Sequence, residues 1–244
     1  MIRLAFLYAK VQWLQLSRVP GFVVPTLLFP SLFFTLFDLN FARSHPKVAP
    51  FLMLGYVAFA IIGVTLFQFG VGIATERSTP WERYLRTLPA PVASRFLGRV
   101  IVAAAFGTIA ASMVIVLASI TAGVHFDAAQ WLRIAGAMVA GGVVFTLFGL
   151  AIGYWLSEKA ALPVANLFYL LLSFAGGLWI PPDQMPPFAR AVSPFLPTRQ
   201  FADLLWNAPF GISWSALLPL GCFGCAFLIA AAIGYRRDQK ARYA

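Results

Sequence analysis

Six continuous apolar blocks, each about 20 residues long, limit what this chain can fold into. A helix needs about 20 residues to cross about 30 Å of hydrocarbon, so every block is long enough to span a membrane. The apolar residues do not alternate with polar ones, which disfavours a membrane barrel. No charged residue is expected in the interior of a span. The predicted spans are 21–39, 51–75, 100–124, 134–156, 162–180 and 214–235.

Composition supports the same class. Hydrophobic residues make up 61% of the chain and charged residues 11%, whereas a soluble domain is about a quarter charged. Such a chain cannot cover itself with a polar surface, and its apolar residues must face lipid. The sequence predicts an all-α polytopic membrane protein that forms a single transmembrane domain, residues 1–244.

The basic residues are distributed unequally about these spans. Thirteen of the 18 lie on the side that holds both termini, and five lie on the other side. By the positive-inside rule the richer side is cytoplasmic. The net charge of +10 is then explained by contact with anionic lipid, without nucleic acid. We expect a protein of the plasma (bacterial inner) membrane with both termini in the cytoplasm.

Residues 1–19 do not read as a cleavable signal peptide. They lack a small-residue cleavage site, and Gln12, Gln15 and Arg18 interrupt any apolar core. The segment is predicted to form a helix in the cytoplasmic interface, with Trp13 near the headgroups. A plain cytoplasmic extension is the alternative.

Small residues suggest close helix packing at two places. Gly149 and Gly153 form a GxxxG pair in the fourth span. In the sixth span Cys222 and Cys225 accompany glycines at 221 and 224, and packing is a simpler role for them than redox chemistry or metal binding.

The chain lacks the motifs of a membrane enzyme. It has no HExxH and no GxSxG, and no nucleophile and base are predicted to lie within reach of each other. The phosphate-binding pattern GxxxxGK[ST] is absent as well, so any nucleotide chemistry must belong to another chain.

Residues 76–91, predicted to be cytoplasmic, can form a short amphipathic helix. Pro80 suits the first turn of a helix, and Pro89 suits its end. Trp81 and Leu85 then share an apolar face with Leu88, while a charged face lies beside it. This shape suits docking into a groove of a soluble partner; an ordinary solvated loop is the alternative.

Residues 181–211, on the predicted outer side, are rich in proline and aromatic residues. Two short helices fit between the prolines, near 188–192 and 198–206, and the aromatic residues would keep them at the interface. The segment is either a packed outer cap or a re-entrant lid that controls exit to the outer leaflet.

Motifs at both segments resemble those of type-2 ABC-transporter permeases, the membrane subunits of ATP-driven exporters. After the second span, Glu76-Arg77 leads to a Leu-x-x-x-Pro stretch that ends at Pro89, although Thr79-Pro80-Trp81 replaces a common Gly-Thr. After the fifth span, a glycine-rich end precedes a proline and a Met-Pro step. The matching residues there are Gly176, Gly177, Pro181, Met185 and Pro186.

The resemblance implies two functional sites and several partners. Two ABC-type ATPase subunits would bind ATP and Mg²⁺, and this chain would hold no cofactor or metal. A second permease subunit, in a homodimer, would complete the translocation path. The coupling residues would be Glu76, Arg77, Trp81, Glu82, Arg83, Tyr84, Leu85, Arg86 and Pro89. The outer gate would be formed by Trp179, Pro181, Met185, Pro186 and Phe188.

The expected cargo is amphipathic, lipid-linked or drug-like, because 24 phenylalanines and charge-free spans suit apolar molecules. A stand-alone six-helix secondary carrier or membrane scaffold would fit composition and topology equally well. It would leave the amphipathic cytoplasmic helix and the lid-like outer segment unexplained.

Overall fold

A computed structural model describes residues 2–80, 92–180 and 184–243. These ranges contain helices and turns and no strand, which confirms the predicted all-α class. We number the helices in chain order: α1 Ile2–Ser17, α2 Pro20–Ser44, α3 Ala49–Ser78, α4 Val92–Ala122, α5 Ala128–Trp155, α6 Glu158–Ala175, α7 Pro187–Val192, α8 Pro197–Asn207 and α9 Trp214–Tyr243.

Five helices in the described part of the chain are long and apolar enough to cross a membrane, namely α2, α3, α4, α5 and α9. The prediction of a multi-pass membrane protein is therefore confirmed. The predicted fifth span corresponds to α6, which is not one of the five. Its 18 residues cover about 27 Å at about 1.5 Å per residue, and charged Glu158 and Lys159 begin it. A sixth crossing remains a prediction.

Helix α3 forms the centre of the molecule. It is apolar around its whole circumference, as expected of a helix enclosed by others. Every residue from Leu52 to Thr65 is buried, including the large side chains of Tyr56 and Phe59. Helices α2, α4, α5, α6 and α8 all pack against it.

Glycines allow α5 to approach α3 closely. A Cβ at Gly149 would lie 2.8 Å from the carbonyl oxygen of Thr65, and one at Gly153 would lie 2.5 Å from that of Phe69. The predicted GxxxG contact is confirmed. The packing expected at the glycines of α9 is correct for Gly224, which faces Val144, and wrong for Gly221, which has no neighbour within 4 Å.

The cysteines of α9 do not take part in packing within the chain. Cys222 and Cys225 are both exposed and unpaired by a disulfide. They lie on the outward face of α9, where the sequence pattern alone could not place them.

Two segments of π-helix interrupt the spans. One, Phe34–Asp38, lies in α2, and the other, Leu66–Val71, lies in α3. The expectation that no charged residue lies inside a span fails at Asp38, because α2 continues to Ser44. The Asp38 carboxylate accepts a 2.6 Å hydrogen bond from buried Tyr56, which provides a polar partner at that depth.

The predicted N-terminal helix is confirmed as α1, and it packs along the start of α4. A Cβ at Gly98 would meet the backbone of Ala5 and Ala9, and the rings of Trp13 and Phe106 lie 4.7 Å apart. The two contacts on α4 are about 12 Å apart along its axis at about 1.5 Å per residue. Helix α1 therefore follows α4, and its interfacial depth remains a prediction.

Candidate coupling and gating sites

The predicted coupling site divides at the end of α3. Glu76 and Arg77 lie in the last turn of α3, within the described residues. The rest of the predicted set lies outside them, so its helix and its contacts stay predictions. That part comprises Trp81, Glu82, Arg83, Tyr84, Leu85, Arg86 and Pro89.

Glu76 joins α3 to α4. Its carboxylate forms an ion pair with the Arg99 guanidinium, and a second Arg99 nitrogen donates a 3.0 Å hydrogen bond to the carbonyl of Gln68. Gln68 lies in the π-helical segment of α3, and its side-chain carbonyl accepts a 3.4 Å bond from Gln12 of α1. Arg99 is thus held at two levels of α3 while it is only 9% exposed.

Arg77 joins α3 to α5 and α9. Its Nε lies 3.1 Å from an oxygen of Asp238, a carboxylate that is 7% exposed. Its Nη1 donates to the carbonyl of Gly153, in the last turn of α5, where helical carbonyls lack partners and a positive charge is favourable. The guanidinium also lies 5.7 Å from the Tyr154 ring centre, and Tyr154 packs edge-on against Tyr235.

Ser78 joins α3 to α6. Its hydroxyl donates a 2.6 Å hydrogen bond to the carboxylate of Glu158. Successive helical residues point about 100° apart, so three adjacent side chains reach neighbours on different sides. We call Glu76, Arg77, Ser78 and their partners the α3 junction. Sequence reasoning missed Arg99, Asp238 and Glu158; the one available signal was that these charges fall on the same predicted side of the membrane.

At the end remote from Ser78, α6 stops at Ala175 and not at the predicted residue 180. Gly177 has a left-handed φ of +76°, which glycine adopts without strain. The N–H of Leu178 bonds the carbonyl of Ser173 at 3.1 Å, and that of Gly177 bonds Phe174 at 3.0 Å. This is the Schellman arrangement that ends many helices, and glycine at this position is its sequence signal.

The two predicted outer helices are confirmed as α7 and α8, and α8 is anchored to the spans. The Phe201 ring fills the space beside Gly141 of α5. Trp206 stacks on Phe51 of α3 with ring centres 3.8 Å apart and donates to its carbonyl at 3.1 Å. Thr198 donates to the carbonyl of Leu172 in α6 at 2.7 Å.

A further anchor comes from Arg133 of α5. Its guanidinium donates to the carbonyls of Ala208 and Pro209, just beyond α8, at 2.9 and 2.8 Å. The carbonyls at this helix end thereby gain a cationic donor.

The predicted gate residues occupy different environments. Trp179 packs edge-on against Phe59 and Phe33, with ring centres 5.1 and 6.0 Å away. Met185 is buried beside Gly177, whereas Phe188 on α7 is 82% exposed. Pro186 precedes α7 and is exposed, and Pro181 lies outside the described residues. The structure does not test their role as a gate.

An apolar groove of about 590 Å³ lies between α3, α4 and α5. The polar groups along its wall include the hydroxyls of Thr65, Thr108, Ser112 and Thr146 and the indole of Trp131. Its volume is in the usual range of about 300–1,000 Å³ for ligand pockets. The groove can accommodate hydrocarbon, and the described residues that line it carry no charge.

Comparison with known proteins agrees with this architecture. The family model of the ABC-2 type transporter matches residues 3–210. The chain is also similar to a protein of Bacillus subtilis (strain 168), "Putative transport permease YvfS", with 24% identity over 233 residues. The match covers 93% of this chain and 94% of the relative. The resemblance expected from the sequence is confirmed: this chain belongs to the ABC-2 type transporter family and is a multi-pass membrane permease.

Proposed function

We propose that the chain is the membrane subunit of an ABC exporter, driven by ATP that a separate ATPase subunit hydrolyses. The observation that supports this most directly is the α3 junction. The last turn of α3 leads straight into the predicted coupling segment and also contacts α4, α5, α6 and α9. A force applied just after Ser78 would therefore reach most of the membrane domain.

In this proposal the ATPase docks against the coupling segment. Glu76 and Arg77 would hold its start, and the apolar and charged groups between Trp81 and Pro89 would supply the docking surface. Aromatic and arginine residues commonly dominate such interfaces. ATP and Mg²⁺ would bind to two copies of the partner, because this sequence carries no phosphate-binding loop.

A second permease subunit is proposed to cover α6. One face of α6 is buried in the chain through Ala161, Ala165 and Tyr169. The opposite face exposes large apolar residues, including Leu167 and Leu171. Lipid or another copy of the chain would satisfy this face equally well on hydrophobic grounds, and we favour the homodimer because a translocation path needs a second wall.

The outer segment is proposed to form a lid over that path, with both termini on the cytoplasmic side of the bacterial inner membrane. The gate residues would be Trp179, Pro181, Met185, Pro186 and Phe188. The substrate class would be an amphipathic, lipid-linked or drug-like molecule that leaves towards the outer leaflet. The apolar groove and the aromatic contacts of Trp179 support an apolar cargo.

Purification of the tagged chain from its native membranes in mild detergent, followed by mass spectrometry, tests the proposal. We expect an ATPase with a phosphate-binding loop to co-purify in equal amount. The double variant Trp81→Ala, Arg86→Ala should lose it, whereas Trp214→Ala, an exposed tryptophan at the start of α9, should retain it. Recovery of the chain alone, under conditions that preserve a known transporter, would favour a stand-alone carrier or scaffold.

A further inference from the structure

We propose that Arg99 and Asp238 are positioning residues that hold the end of α3, so that movement of the coupling segment is transmitted to α4, α5 and α9. This inference rests on the proposed function, because it assumes that an ATPase acts on the segment after Ser78. It deepens that function by giving a role to two side chains outside the coupling segment.

The first step of the argument is geometric. Glu76 and Arg77 are adjacent in α3, yet Glu76 pairs with Arg99 of α4 and Arg77 pairs with Asp238 of α9. Arg77 also bonds the Gly153 carbonyl of α5. Rotation or displacement of this one turn must alter contacts with three other helices together.

The second step concerns burial. Arg99 is 9% exposed and Asp238 is 7% exposed. Charges that are this enclosed are stable only when they are paired or hydrogen-bonded. If the end of α3 moved alone, Arg99 would lose its contact with Glu76 and Asp238 its contact with Arg77. Movement of α4 and α9 together with α3 avoids that cost.

The third step concerns the two bonds between Arg99 and α3. Arg99 holds the Glu76 carboxylate and also the carbonyl of Gln68, at opposite ends of the helix segment between them. That segment begins inside the π-helical turn Leu66–Val71, and a π turn inside an α-helix often marks a functional position. Arg99 therefore fixes the junction relative to the body of α3 as well as to α4.

A neighbouring arginine provides a control for charge alone. Arg236 lies two residues before Asp238 on α9, and its side chain is exposed. Changing its charge alters the same region of the protein without removing a partner of Glu76 or Arg77. An effect of general electrostatics would appear at Arg236 as well as in the junction.

The experiment uses the full chain in complex with its co-purified ATPase, reconstituted in nanodiscs. Cys222 and Cys225 are replaced by alanine, and His125→Cys is introduced in the exposed α4–α5 loop. The labelling rate of this cysteine with a maleimide is measured without nucleotide and after trapping with ATP and vanadate. The variants are Arg77→Asp, Asp238→Arg, their combination, Asp238→Asn and Arg236→Gln.

In the protein with an unmodified α3 junction, the introduced cysteine should react with maleimide at clearly different rates without nucleotide and after trapping with ATP and vanadate. Arg77→Asp and Asp238→Arg should each reduce that difference by about fivefold or more, at the lower end of typical coupling between sites. The combined variant should regain part of it, because the reversed charges can pair again while the bond to the Gly153 carbonyl stays lost. Arg236→Gln should behave as the unmodified protein, and the KM for ATP should be unchanged throughout.

Three results would overturn the inference: equal labelling in both states without any junction variant, single variants that keep the full difference, or a combined variant that recovers nothing beyond the single variants. If the charge reversals fail to insert, Asp238→Asn decides, since it removes the charge and keeps the size. Loss of the ATPase from the unmodified complex would instead refute the proposed function, so the two failures are distinguishable.

Discussion

At each end of this membrane domain, an arginine donates hydrogen bonds to a carbonyl at the end of a helix, but the other partners of the two arginines differ. At one end, Arg77 donates to the Gly153 carbonyl at the end of α5, and at the other, Arg133 donates to the Ala208 carbonyl at the end of α8. Arg77 also faces the carboxylate of Asp238, whereas the second bond of Arg133 goes to another backbone carbonyl.

The α3 junction therefore depends on particular charged side chains, whereas the position of α8 depends on packing and on backbone carbonyls. The α3 junction relies on charged pairs, so a single substitution at either member breaks it, and an exchange of charges can restore only the ion pair. Helix α8 relies on Phe201, on the stacked Trp206 and on backbone carbonyls. Backbone acceptors persist through substitution, so loss of packing is the main way to release that end.

The largest effect is expected from Phe201→Ala in α8. It removes a fully buried ring that fills the space beside Gly141, and such truncations cost about 3–5 kcal/mol. Thermal unfolding in detergent should show a clear fall in Tm. Phe195→Ala, at a position that is 77% exposed, is the matched control and should leave the Tm nearly unchanged. Equal Tm values for the two variants would mean that α8 is not held by packing.

At the junction, Arg99→Met should cost less. It removes a buried cation and its bond to the Gln68 carbonyl, and hydrogen bonds to charged groups contribute about 1.5–3 kcal/mol. Glu76→Gln should have a comparable effect on Tm, because it leaves the buried Arg99 cation without its carboxylate partner. A Tm for Glu76→Gln equal to that of the unmodified protein would show that Arg99 does not depend on the ion pair.

Between these two ends, Gly177→Ala tests the turn that stops α6. A left-handed conformation costs a residue with a side chain about 1–2 kcal/mol, so the Tm should fall. Gly136→Ala is the control, since Gly136 is helical with open space around it, and alanine there should stabilise the protein slightly. A Gly177→Ala protein as stable as its parent would show that the turn tolerates another conformation.

The smallest effect is expected from Ser78→Ala, which removes a hydroxyl that contacts both the Glu158 carboxylate and the Thr75 carbonyl of its own helix. One such bond contributes about 0.5–1.5 kcal/mol, and this one is exposed, so the lower value applies. Ser44→Ala is a suitable comparison, because its hydroxyl bonds the carbonyl of Asn40 within its own helix. If both variants had the same Tm, the link between α3 and α6 would add nothing to stability.

The sequence predicts those features that depend on local pattern. Apolar blocks located the spans, and the prolines after the fifth block correctly predicted α7 and α8. The end of α6 was wrong because the apolar run continues through Leu178 to Ile180, while backbone geometry at Gly177 stops the helix. The pair Gly176-Gly177 indicates a helix end, but the length of the apolar block favours a helix that continues to residue 180.

The junction could not be predicted in the same way. Arg77 and Asp238 are 161 positions apart, and no periodicity relates them. Their pairing depends on how α3, α5 and α9 pack, which the length of an apolar block does not encode. In the sequence, Arg99 is one of several basic residues on the predicted cytoplasmic side, whereas the structure packs it against α3.

The enclosure of α3 also indicates where this protein is free to diverge. Almost every substitution in its central part must be accommodated by a neighbouring helix, and at Gly55 even one added methyl group would collide with the backbone of Leu178. Substitutions are more easily accommodated on the outward faces of α2 and α6, where many large side chains are exposed in the described part of the chain. Among relatives, we expect the sequence of α3 to change slowly and the residues on the outward faces of α2 and α6 to change faster.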